Sequence, residues 1–252
     1  MNPMTISLIT FVCVFGGAIF GMILRMIVPV RDFSSESQDV IKLGLGLIVT
    51  MNALVLGLLI STAKTSYDMK RGSLAQIAAD VILADRSLTL YGSEADAARI
   101  ALRELTSGLI EQIQSARDGP MEASSSGSEV GAADFYQIVR KLSPHDEDEK
   151  ALKAEVLRIS LEVAQIRASA LTKEGSSIPL PFLIVLIFWL AILFIGFGLF
   201  APPNITVLTA LSVCAFSVAA AIFMVVSMDA AFVGFMRISA EPLRNAIAVI
   251  GK

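Results

Sequence analysis

Charged residues are absent from three runs of the chain, 1–24, 43–63 and 175–228, and apolar side chains dominate each of them. Every run is at least as long as the roughly 20 residues that a helix needs to cross about 30 Å of hydrocarbon. The last run is cut by Ala201-Pro202-Pro203-Asn204. Paired prolines fix φ and remove backbone donors, which predicts a tight turn between two spans. Four transmembrane helices are therefore expected, at about 6–30, 42–64, 179–200 and 205–228. No basic segment precedes the first and no small-residue cleavage site follows it, so it reads as a retained span rather than a leader.

Between the second and third spans the pattern changes to amphipathic helices. Leu74, Ile77, Ala78, Val81, Ala84 and Leu88 recur at three and four, giving one apolar stripe on a helix that needs a partner. Tyr91-Gly92-Ser93 ends it, and Ser93 with Asp96 resembles an N-terminal box for a helix over 94–117. Residues 118–131, DGPMEASSSGSEVG, have linker composition and are expected to be mobile. Ser143-Pro144 followed by Asp146, Glu147, Asp148 and Glu149 opens a helix of roughly 144–172. Near the C-terminus Ser239 can cap a short helix with an apolar strip of Leu243, Ala246, Ile247 and Ile250, which is expected on the membrane face or on a neighbouring subunit.

The resulting fold class is all-α: an integral membrane protein with spans one and two in 1–64 and a cytosolic helical region in 65–177. Spans three and four occupy 178–228, and an amphipathic segment fills 229–252.

The stretch GLLISTAKTSYDMKRG, 57–72, passes from apolar to charged sequence with no proline and no glycine between its ends. One continuous helix from about 42 to 90 is expected. Stepping 100° per residue places Gly46, Thr50, Ala53, Gly57, Ser61, Lys64 and Asp68 in one sector about 80° wide. Two physical causes could give such a small or polar face. Small residues let helix backbones approach closely in lipid, and a polar stripe can line an aqueous path between subunits. The first span carries a comparable ridge, Cys13, Gly17, Gly21 and Arg25, which reads as helix packing.

Composition sharpens this picture. Hydrophobic residues make up 55% of the chain and charged ones only 17%, too few for a water-facing surface of this size. Lys64, Lys70, Arg71, Arg167, Lys173, Arg237, Arg244 and Lys252 flank the spans on one side, against Arg25, Arg31 and Lys42 on the other. The excess of basic residues predicts that both termini and 65–177 are cytosolic. That region holds 18 acidic and 13 basic residues, which argues against a nucleic-acid surface. Cys13 and Cys214 fall inside spans and read as packing residues, and His145 is the only histidine. The acidic run 146–149 invites a calcium reading, but acidic residues in a first helical turn face the positive end of the dipole and need no ion. No cofactor and no metal is expected. Nor is an enzyme, since the chain has no HExxH, no P-loop and no nucleophile with a plausible base.

The segments LVLGLLISTAKTSYD, LADRSLTLYGSEA, FGLFAPPNITVLTALSVCAFSVAAAIFMVVSMD and RISAEPLRNAI together resemble the bestrophin-like family of bacterial membrane proteins, itself distantly similar to bestrophin channels. The resemblance implies a homo-oligomeric ion channel in the bacterial cytoplasmic membrane, its second helix lining the pore and helices extending it into the cytosol. Gly46, Thr50, Ala53, Gly57, Ser61, Lys64 and Asp68 become pore-lining candidates on that basis. Asp85, Arg86, Asp229, Arg237 and Arg244 lie in the most family-like stretches as structural or gating candidates, with a structural ion pair or membrane-edge anchor as the plainer role. The partners implied are membrane lipid, inorganic ions and further copies of the chain. The bulky apolar neck of bestrophins has no counterpart on the small face. Of their acidic calcium clasp only Asp229 has one, so calcium gating is not carried over. A non-conducting oligomeric scaffold that recruits partners through its cytosolic helices is the other reading.

Overall fold

A computed structural model describes residues 3–27, 35–115, 125–172, 179–229 and 238–250. Every regular element among them is helical: α1 (Pro3–Ile27), α2 (Ser35–Tyr91), α3 (Asp96–Ser115), α4 (Ser125–Lys141), α5 (Glu147–Thr172), α6 (Leu180–Phe200), α7 (Ile205–Asp229) and α8 (Glu241–Val249), with a 3-10 turn at Ser93–Ala95. Four of these helices, α1, α2, α6 and α7, are long and apolar enough to cross a membrane. The chain divides into two compact units. One comprises residues 1–67 and 176–230, the other 68–175 and 231–252.

In the first unit α1 packs on α6 and on α7. The α1 ridge is what permits the closest approach: a β-carbon on Gly21 would overlap the Ile195 carbonyl of α6, and one on Gly198 of α6 would overlap the Ala18 carbonyl of α1. Lipid offers no hydrophobic drive to bring helices together, so close backbone approach and the dispersion contacts it creates hold this pair. Ser7 Oγ donates to the Ala219 carbonyl across α1 and α7 at 3.0 Å. At the other end of α1, Arg25 Nη1 donates to the Phe200 carbonyl at 3.1 Å, satisfying an acceptor in the last turn of α6. The core of this unit includes Val14, Ala18, Leu186, Phe194, Ala215 and Ile222, with Leu59 and Ala63 contributed by α2. Cys13 and Cys214 are both exposed on the helix surfaces and take no part in that core.

In the second unit the stripe expected on α2 is buried throughout: Leu74, Ile77, Ala78, Val81, Ala84 and Leu88 are each at most 7% exposed. Gly92, at φ +106°, turns the chain after Tyr91, a backbone region that side chains other than glycine rarely adopt. The expected Ser93–Asp96 box is not formed. Ala95 N instead donates to the Gly92 carbonyl at 3.0 Å, closing the 3-10 turn that leads into α3. α3 packs on α4 and α8, and α4 on α5.

Of the stretch read as a linker, 118–124 lies outside the described residues, while 125–131 belongs to α4. Serine and glycine are poor helix formers, yet burial of Phe135 and Val139 further along anchors the helix, and tertiary packing outweighs local propensity. α5 begins at Glu147 with its acidic residues in capping roles. Asp146 Oδ1 accepts from Glu149 N at 2.7 Å, and Glu149 Oε2 accepts from His145 N at 2.7 Å. α8 buries Leu243 and Ala246, with Ile250 buried just past its end, and packs on α3 of its own chain. Ser239 Oγ accepts from Glu241 N at 3.1 Å, as the cap reading requires.

Candidate functional site

α2 runs unbroken for 57 residues, from apolar sequence through Lys64 into charged sequence. In the first unit it has a covered side and an open one. Asn52, Leu59, Ala63 and Ser66 are buried, and the Leu45 side chain lies against Gly196 of α6, close enough to collide with a β-carbon there. Val55 and Leu56 pack half-buried on the same core. The centre of the small or polar stripe lies roughly 150° around the helix from this side. All seven stripe residues, Gly46, Thr50, Ala53, Gly57, Ser61, Lys64 and Asp68, are exposed. Apart from the adjoining backbone of α2 itself, nothing lies within 4 Å of a β-carbon built on Gly46 or Gly57. Thr50 satisfies its own hydroxyl by donating to the Leu47 carbonyl at 2.8 Å, which keeps a polar group at this depth from being left without an acceptor.

The two small-residue ridges therefore behave differently. On α1, Gly17 and Gly21 are buried against α6. On α2 the described helices leave the small face open. That face is bordered by bulky exposed side chains: by helical stepping Val49 and Ile60 lie on one flank, and Leu47, Leu54 and Leu58 on the other. In cross-section this side of α2 is a narrow small or polar strip between two apolar ridges.

Within the second unit α2 exposes Arg71, Ala75 and Ala79 after Asp68 at steps of three and four, and Arg86 a further seven residues on. Of these only Asp68 and Arg86 were candidates. The others share their helical phase and could have been found by carrying the same count past residue 68.

The remaining candidates do not form one site. Asp85 and Arg86 are sequence neighbours that point apart, since Asp85 is buried and Arg86 exposed. Asp85 Oδ1 accepts from Arg99 Nε of α3 at 3.0 Å, an ion pair that joins the two helices beside the Gly92 turn. Arg244 is exposed on α8, Asp229 is half-buried in the last turn of α7, and Arg237 lies outside the described residues.

Sequence reasoning missed four buried polar groups: Asn52 and Asp80 on α2, Tyr91 at its end, and Ser227 on α7. Each has a side-chain oxygen without a hydrogen-bond partner among the described residues. Asn52 could have been noticed as an amide inside a span, and Asp80 as a carboxylate at the margin of an apolar stripe. Burial pushes the Tyr91 phenol up, helped by the negative charges of Glu149, Glu94 and Asp146. Among the described residues no group of three histidine, cysteine or acidic side chains is placed to hold a metal ion.

Comparisons with curated proteins and with solved structures each find no match. A family model for the bestrophin-like domain, in contrast, matches residues 11–243, which takes in the whole of α2, the four apolar helices almost entirely and the buried Leu243 of α8. With four helices fit to cross a bilayer and a family match over most of its length, this chain is a membrane protein that belongs to the bestrophin-like family.

Proposed function

We propose that several copies of the chain assemble around their α2 helices into an ion channel. The small or polar face would line the path and the helices of 65–177 would continue it as a cytosolic vestibule. The observation that carries this reading is the open face of α2. A strip of glycine, alanine, serine and threonine has no reason to be preferred towards lipid, and this chain does not use it for its own packing. The apolar ridges on either side suit contacts between neighbouring copies or with acyl chains, which leaves the strip for water and ions. Lys64, where the apolar run ends, would set a positive charge at the inner mouth, and the excess of basic residues flanking the spans on that side supports a cytosolic position for it.

Purified protein in liposomes, assayed for anion and cation flux, tests the reading. Wild type should conduct, and Gly57→Trp and Ser61→Phe should reduce flux with the oligomer intact. Absence of flux from an assembled wild type would leave a non-conducting scaffold as the function. Dissociation of the oligomer by both substitutions would make the strip a packing surface.

A further inference from the structure

Asp80 lies on α2 sixteen residues beyond Lys64, in the second unit and outside the apolar span. It is 6% exposed, and its neighbours on the same helix, Ile77, Ala78, Val81 and Ala84, are buried and apolar. Oδ1 accepts from Gln76 Nε2 at 2.9 Å, one turn earlier. Oδ2 is buried and has no hydrogen-bond partner among the described residues.

The charged groups of α5 that act on it are Glu162 and Arg158. Arg158, the cation of α5 that acts on it, is already engaged: Nη2 and Nε donate to Glu155 at 2.7 and 2.9 Å, and Nη1 donates to Glu162 at 3.0 Å. Asp85, five residues on, shows what a matched buried carboxylate on this helix looks like, with Arg99 at 3.0 Å. Among the described residues Asp80 has no such partner. A buried ionised carboxylate held by one neutral amide is costly, and the simplest relief is a proton.

We infer that Asp80 is a proton-binding site through which the aqueous pH sets how firmly the extramembrane part of α2 stays packed. The ligand proposed is a proton, which a single buried carboxylate oxygen binds without further protein ligands. This inference does not require the protein to conduct.

Desolvation pushes the Asp80 carboxyl above its ordinary value of 3.8, Glu162 adds to the rise, and Gln76 and Arg158 oppose it. A carboxyl whose pKa is higher when packed than when open binds its proton more tightly in the packed state. Its contribution to stability is therefore complete below the ordinary value and is lost as pH rises through the raised one. Between those two values each opening of this helix releases one proton, so protection falls by up to about tenfold per pH unit.

The test is hydrogen exchange of peptides covering 74–88 in the full-length protein in nanodiscs, from pH 4.5 to 8, corrected for the intrinsic rate. Wild type should lose protection as pH rises, and Asp80→Asn should remove that slope. Equal slopes in both would overturn the assignment. If Asp80→Asn fails to fold, Glu162→Gln decides. It removes a negative charge and leaves Arg158 paired with Glu155 alone, so the slope should shift to lower pH, and an unmoved profile would overturn the site.

Discussion

Arg99 of α3 donates Nε to Oδ1 of Asp85 on α2 at 3.0 Å, with Asp85 buried and Arg99 at the edge of solvent. This pair staples the two arms of the hairpin that Gly92 turns. Removing only the cation would strand a buried charge, which costs far more than the net worth of the pair.

Arg99→Met should therefore destabilise the protein by on the order of 3 kcal/mol, while the double variant Asp85→Leu, Arg99→Met recovers most of the loss. Denaturant unfolding in detergent measures both. A double variant as unstable as the single one would show that the pair is not what the hairpin depends on.

The same substitution should have opposite consequences on α1 and α2. Gly21→Leu drives a side chain into the Ile195 backbone and should cost about 1–3 kcal/mol or prevent folding. At Gly57 no other part of the chain lies within 4 Å of a β-carbon, so Gly57→Leu should leave the protomer fold intact, with any effect confined to assembly or flux. Comparing Tm with oligomer mass for the two variants separates these outcomes.

α8 offers a third contrast between adjacent residues. Leu243 is 0% exposed, so Leu243→Ala should lose about 2–5 kcal/mol through lost burial and a cavity. Arg244 is exposed, and Arg244→Ala should change stability by no more than about 0.5 kcal/mol. A large loss at Arg244 would mean that a further chain or the bilayer surface contacts α8.

Much of the fold was legible because its signals are long and periodic. The uncharged apolar runs are each long enough to cross a bilayer, Pro202-Pro203 separates α6 from α7, and the stripe from Leu74 to Leu88 is buried as its spacing requires. Continuity of α2 through Lys64 followed from the absence of a breaker, and the helix indeed runs from Ser35 to Tyr91. Local signals were weaker. Ser93 looked like a cap, but the chain closes a 3-10 turn there, and the serine-rich start of α4 looked like linker until packing at Phe135 decided otherwise. The partner of Asp85 lies fourteen residues away across a turn, and the isolation of Asp80 depends on how α5 spends Arg158; neither is written in spacing. The exposed candidates on α2 could be named from helical phase alone, whereas which side the chain itself would cover needed the positions of α1, α6 and α7.

The most direct test of the central claim, that the open face of α2 borders a conducting path, is thiol accessibility during flux. Cys13 and Cys214 are first replaced by alanine because both are exposed. Single cysteines are then placed at Gly57, Ser61 and, on the covered side, Leu59, and a charged, membrane-impermeant thiol reagent is added to conducting proteoliposomes. Modification at 57 and 61 should change flux severalfold while 59 stays silent. Flux that ignores modification at 57 and 61 would contradict the claim.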